Sequence, residues 1–327
     1  MNKLLKASAA SLAFGSASLF GQIEINENLS VTGFLDMSVV NTDSDDSGSD
    51  TSYNLDQAEL DFIFSFDNLS GQVDLNYLGD NDTEDFDLEQ AFITYDFGEG
   101  SSITAGKFLS FHGWETAEPT GLYQYSYAYD VVASIPGYFN GVAYTYGDDN
   151  MDLGISFVDS VFGADGSLSD SDYGVEVMAK FYPAEGLTLY FGYALDNMDA
   201  GDTDLFNFWS SYETGVHTFA VEYNIYEQDF GFDFGGASWG IEVDQWLLMW
   251  SVAATETGSF TARVSNESVD AVLDDSVGSA TIDLDKYTVA WIETLTDNLA
   301  LVFEYSKVDS ELAGDYDAIA LEALFTF

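Results

Sequence analysis

Apolar and polar side chains alternate one for one along most of this chain. Ala58, Leu60, Phe62, Phe64 and Phe66 alternate with Gln57, Glu59, Asp61, Ile63 and Ser65. Tyr173, Val175, Val177, Ala179 and Phe181 alternate with Gly174, Glu176, Met178, Lys180 and Tyr182. The period recurs at Val73, Leu75 and Tyr77, and again at Ile319, Leu321, Ala323, Phe325 and Phe327. Successive strand side chains point to opposite faces, so each stretch predicts a strand with one apolar and one mostly polar face. About sixteen such segments of roughly ten residues are expected. They fall near 28–40, 53–66, 71–79, 88–97, 102–109, 137–147, 150–158, 172–182, 186–195, 204–213, 215–226, 240–252, 259–266, 281–293, 298–307 and 315–327.

The connections alternate in length. Short turns are expected at 67–71, 98–101, 147–150, 183–186, 213–215, 256–258 and 296–298, and long acidic loops elsewhere, such as Asn41 to Ser52 and Asp159 to Asp172. Outer-membrane barrels are built with short turns at the periplasmic end and longer loops outside, and an even strand count puts both termini on the periplasmic side. Pro119, Pro136 and Pro183 fall in loops or turns, where a missing N–H leaves the ladders intact.

A secreted β-sandwich also alternates. Here the alternation persists without a linker, and the apolar face is rich in aromatic residues (26 Phe, 20 Tyr, 6 Trp), as membrane-interface girdles require. The longest apolar run, Trp246 to Ala254, is interrupted by Ser251 and falls short of the ~18 residues of a membrane helix. A membrane-embedded chain of this pattern must close on itself, because lipid cannot satisfy open backbone groups. The expected fold is all-β: a transmembrane, antiparallel, up-and-down β-barrel of about sixteen strands.

Charge sharpens the picture. Lys3 and Lys6 precede an uncharged stretch from Ala7 to Phe20 and small residues before Gly21, the order of an export signal. Residues 1–21 are read as that signal and 22–327 as one barrel, with cleavage after Gly21 or Ser18. Beyond it, 58 acidic residues face only Lys107, Lys180, Arg263, Lys286 and Lys307. Such acidity argues against nucleic acid as a partner. The absence of cysteine excludes disulfide and thiolate chemistry. An exported barrel of this kind is expected in the outer membrane of a Gram-negative cell.

Two stretches resemble known proteins. The segment Ala318 to Phe327, ending on phenylalanine, resembles the strand by which the outer-membrane assembly machinery recognises its barrels, with Phe327 as the signal residue. Gly106-Lys107-Phe108, Gly113-Trp114-Glu115, Tyr125-Ser126-Tyr127 and Asn140-Gly141-Val142 resemble the OmpL-like family of β-barrel porins. Leu29 to Phe34 and Leu55 to Leu60 are similar too. The resemblance implies a pore rather than a particular substrate. In porins of this type the third external loop folds inward, which would place Trp114, Glu115 and Glu118 at a constriction; a loop over the mouth or an extra hairpin are the alternatives. Resemblance to general porins also implies a homotrimer.

With the apolar face toward lipid, the lumen presents Glu59, Asp61, Asp74, Glu176, Glu222, Glu304 and Glu322. Carboxylates on a pore wall attract cations and repel anions, so small hydrophilic solutes and cations are the expected cargo; a saline habitat is another source of such acidity. Arg263 and Lys286 should also face inward, either as a positive wall opposite Glu115 and Glu118 or neutralised by nearby acids. Asp43, Asp45 and Asp46 begin a calcium-loop-like run that lacks its terminal Glu, so a solvated acidic loop is the other reading. No cofactor and no metal centre is expected. Four functions stay open: a general diffusion porin, a sugar-specific channel, an adhesive or structural barrel, and a barrel hydrolase using His112 with Ser110 or Glu115.

Overall fold

Backbone pairing begins as soon as the alternating segments do. The first half of the chain forms β1 (Ile23–Asn26), β2 (Leu29–Ser44), β3 (Gly48–Phe66), β4 (Leu69–Leu78), β5 (Phe86–Gly98), β6 (Ser101–Leu109), β7 (Tyr138–Gly147), β8 (Met151–Val158) and β9 (Tyr173–Ala184). The second half forms β10 (Leu187–Asn197), β11 (Thr203–Thr214), β12 (His217–Phe234), β13 (Ala237–Ala253), β14 (Gly258–Leu273), β15 (Ser276–Thr296), β16 (Leu299–Ser310) and β17 (Tyr316–Thr326). The structure, a computed structural model, describes residues 22–45, 47–79, 86–163, 172–198, 201–234, 237–273, 276–312 and 314–327. The export-signal segment 1–21 and Asp46 lie outside the described residues.

Each strand from β2 to β17 pairs antiparallel with the next, and β17 returns to β2, so the sheet closes into a sixteen-strand barrel. The short β1 continues the line of β17. Ile23 stands opposite Val31, while Phe327 and Gly33 exchange N–H···O bonds of 3.0 Å two residues further along β2. One stave is therefore shared by residues from the two ends of the sequence.

The sixteen segments expected from the alternation are all strands, and the seven short turns separate them where expected. The long loops need correcting. Asn41 to Ser52 is a hairpin extension, with Asn41 opposite Thr51 and Asp43 opposite Ser49. β12 to β15 likewise run well past their expected ends. Above the membrane both faces are wet, so the apolar alternation stops while the backbone ladder continues.

The barrel is polar inside and apolar outside. Thr32, Asp36, Asp74, Glu176, Asn207, Glu222, Gln245, Arg263 and Glu304 are buried within it. Phe157, Phe191, Tyr193, Phe219, Tyr287, Phe303 and Tyr305 each keep 41–48% of their surface exposed on the outer face. His217 belongs there too, stacked on Phe219 and Trp250 at about 6 Å. Burying carboxylates while exposing phenylalanines is unfavourable in water and favourable in hydrocarbon.

Among the register shifts, two fall on the arc of β3 and β5. In β3 the register steps from Gln57 to Leu55 past Asp56, and in β5 from Gln90 to Leu88 past Glu89. A bulge re-aims its extra residue. Here both extra residues are acidic, and each has a carboxylate oxygen shielded from solvent.

Candidate functional site: the lumen and its inward loop

The chain between β6 and β7 lies inside the barrel. The strand that leads into it, β6, contains Gly106, whose φ of 134° is strained for any other residue and whose missing side chain leaves room for the Ala91 carbonyl. From there the loop is bonded along the inner wall from β9 to β16.

The wall glutamates hold the loop's backbone. Glu176 on β9 accepts from Ser110 Oγ at 2.5 Å. Glu222 on β12 accepts from Trp114 N–H at 2.7 Å, from Asn207 at 2.9 Å and from the Tyr129 hydroxyl at 3.2 Å. Glu267 on β14 accepts from three successive N–H groups, those of Asp130, Val131 and Val132, at 3.0, 2.9 and 2.5 Å. Glu304 on β16 takes those of Tyr125 and Ser126 at 2.8 and 3.0 Å. A loop without regular structure has N–H groups to satisfy, and carboxylates satisfy them strongly.

The two basic residues act in the same way from the other sign. Arg263 pairs with Glu115 at 2.5 Å and donates to the carbonyls of Ser126 and Tyr127. Lys286 donates to the Tyr127 carbonyl and to Asp130 at 2.8 Å. Both point inward from neighbouring strands, as expected. They do not form an open positive wall facing Glu115 and Glu118: each is covered and neutralised by the loop.

Aromatic packing adds to the seal. Trp114 stacks on Tyr123 and meets Trp209 edge-on at 5.4 Å, and Trp209 stacks on Tyr190 at 4.9 Å. These rings pack on one another between loop and wall. Beside them the Tyr190 hydroxyl sits 2.9 Å from His112 Nδ1, and a side chain on Gly192 would collide with the imidazole. Burial holds the His112 pKa down at about 3. Ser110 gives its hydrogen to Glu176 rather than to His112, so the serine–histidine pairing a hydrolase needs is not formed.

The opposite arc, β2 to β5 with β17, is different. Glu118, at the far side of the loop, accepts from Tyr138 at 2.8 Å and from Gln57 at 3.1 Å. Burial, and then the charge of Glu89, raises its pKa to about 8. Glu118 lines a cavity of about 590 Å³ together with Glu59 and Asp61, with Asp74 and Glu89 clustered beside them. Asp36, Asp56 and Glu322 make a second acidic group on β2, β3 and β17. Among the described residues, no Lys or Arg makes an ion pair with either group.

The expected lumen acids thus divide. Glu176, Glu222 and Glu304 are loop anchors; Glu59, Asp61, Asp74 and Glu322 lie on the arc that the loop leaves unpaired. Glu267, Asp130 and Glu89 were missed by the sequence reading. Glu267 shares its face with Arg263 and Ser265 and was legible by parity, whereas Glu89 was hidden by its bulge. Asp43 and Asp45 lie on the external hairpin, not in a twelve-residue open loop.

The chain matches, over residues 28–306, the family described as "Putative beta-barrel porin-2, OmpL-like". It belongs to that family. No curated protein matches it in sequence. Several solved outer-membrane proteins share its fold. OmpT of Vibrio cholerae is 14% identical, with a TM-score of 0.67 over 93% of this chain and 100% of that chain. The channel DcaP of Acinetobacter baumannii is 12% identical, with a TM-score of 0.68 over 94% and 100%. An anion-selective porin from Comamonas acidovorans is 12% identical, with a TM-score of 0.66 over 91% and 99%. OmpT also has a structure in trimer form. Family and fold point to the outer membrane and to a channel. At this identity the likeness establishes the fold, and charge preference is left to the residues that line each lumen.

Proposed function

We propose that this barrel is a passive diffusion pore for small hydrophilic solutes, with a preference for cations. The observation that carries it is the division of charge inside the barrel. The loop consumes Arg263 and Lys286, while among the described residues the lumen acids Asp36, Glu59, Asp61, Asp74 and Glu322 make no ion pair with a Lys or Arg. A low-dielectric wall focuses their field into the lumen, which draws cations and repels anions.

The segment between Ser110 and Gly137 narrows the passage, with Trp114 and Glu115 pinned to one wall and Glu118 bordering the open arc. Sixteen strands alone enclose a wide aqueous channel, so this loop sets the size limit. In the same reading residues 1–21 direct export across the inner membrane of a Gram-negative cell and are removed, Phe327 presents the chain to the outer-membrane assembly machinery, and the barrels associate as trimers. Support for trimers comes from general porins and from the trimer form of OmpT.

Liposome swelling tests the pore and its size limit together. Vesicles carrying the mature chain should admit small sugars and amino acids quickly and disaccharides slowly. Swelling no faster than that of protein-free vesicles would refute the pore and favour an adhesive or structural barrel.

A further inference from the structure

The arc opposite the loop anchors carries more than excess charge. Asp61 on β3 stands directly opposite Asp74 on β4, and Glu59 directly opposite Asn76. Like charges facing across a ladder are destabilising unless something between them compensates. Glu59, Asp61 and Asp74 offer oxygen atoms that all lie within 4.8 Å of one another, and Glu59, Glu89 and Glu118 form a second such triad through the shared Glu59. Oxygens on opposite sides of a calcium ion are about 4.6–5.2 Å apart, twice a Ca–O distance of 2.3–2.6 Å.

A second observation is independent of that clustering. Asp61 Oδ1, Asp74 Oδ1, Asn76 Oδ1 and Glu89 Oε2 are all shielded from solvent with no hydrogen-bond partner. Asp61 is 8% exposed, Asn76 4% and Asp74 0%. All four orphaned atoms are acceptors. Donors hold the other oxygen of Asp74 and of Glu89, and one oxygen of Glu59. Gln72 and Gln90 both donate to Asp74 Oδ2, at 2.9 and 2.7 Å, Gln57 donates to Glu59 Oε2 at 3.1 Å, and the Asn76 amide donates to Glu89 Oε1 at 2.6 Å. Outer amides thus orient Asp74 and Glu89 and leave their inner oxygens free, as the outer shell of a metal site does. The bulge that turns Glu89 inward completes the set.

We propose that Glu59, Asp61 and Asp74, flanked by Asn76 and by the Glu89–Glu118 pair, bind a hard divalent cation of the calcium class inside the lumen. An all-oxygen donor set excludes soft metals and suits calcium, or magnesium with retained waters. Bound there, the ion partly neutralises the acidic arc and slows monovalent cations passing it. Only this effect on current rests on the pore reading; binding does not.

Calcium binding is measured on the full mature barrel in detergent, by calorimetry with calcium chloride and by terbium luminescence excited through tyrosine, since Tyr138 bonds Glu118. Wild type should bind calcium, and calcium should displace terbium. Asp61→Asn and Asp74→Asn should each weaken binding roughly tenfold or more. Asp43→Asn, on the external hairpin, should leave it unchanged. In bilayers that already conduct potassium, calcium should lower the current of wild type more than that of Asp61→Asn. Wild type that neither takes up calcium nor exchanges terbium overturns the site, as does binding unaffected by both lumen variants. A barrel that binds calcium but never conducts keeps the site and overturns the pore.

Discussion

Arg263 and Glu115 meet at 2.5 Å between the β14 wall and the inward loop, with side-chain exposures of 0% and 10%. A base on the wall is thereby matched to an acid far away in sequence, and neither charge faces the open lumen. The inner wall is a loop holder on one arc and an acidic surface on the other, and the functional consequences follow from that asymmetry.

Breaking this pair should free the loop. Arg263→Ala leaves Glu115 enclosed with only Gln124 and the Ala128 N–H as partners. Losing one partner of a buried pair costs about 3–5 kcal/mol. Single-channel recordings should show larger and noisier conductance, and the combined Arg263→Met, Glu115→Gln variant should lie closer to wild type than Arg263→Ala alone. Wild-type conductance in Arg263→Ala would remove the anchoring role.

Glu267 holds three consecutive N–H groups, so its loss should be felt locally. Glu267→Ala should cost about 1.5–3 kcal/mol or more, the scale of hydrogen bonds to a charged group. The loop should then open to chymotrypsin near Tyr127 and Tyr129 in detergent-solubilised barrels, read by mass spectrometry. Equal resistance of wild type and variant would mean that other contacts suffice.

His112 makes the loop acid-sensitive. Held in place its pKa is about 3, against an ordinary 6.5. Because the held value is the lower one, this stabilisation is intact above pH 6.5 and is lost as pH falls toward 3, at about 1.4 kcal/mol per pH unit. Ser110 from the loop, Glu176 from β9 and Tyr190 from β10 face the ring; Glu176 stands 3.5 Å from Nε2 and already accepts from two serines. Open-channel noise of wild type should rise from pH 6.5 to 4.5, and His112→Gln should blunt that rise. Identical pH profiles would place the loop's acid response elsewhere.

Much of this architecture was legible in the sequence. Period two located every stave, and parity alone turned Arg263, Lys286 and Glu222 inward. Two things were not legible, for physical reasons. Asn41 to Ser52 stays paired above the membrane, where no apolar face marks a strand. The fate of each inner acid depends on a loop with no periodicity of its own, so nothing in spacing distinguished Glu304, which grips Tyr125 and Ser126, from Glu322, which lies beside Asp36. The bulges at Asp56 and Glu89 break the very period that made the other positions readable.

The sign of the lumen's preference is tested most directly by the reversal potential of the reconstituted mature chain across a potassium chloride gradient, where the two ions have nearly equal mobility. The expected potential lies toward the potassium equilibrium value, and moves toward zero in Asp36→Asn and Glu322→Gln. A wild-type potential at zero or toward the chloride value would contradict a lumen governed by its unpaired acids.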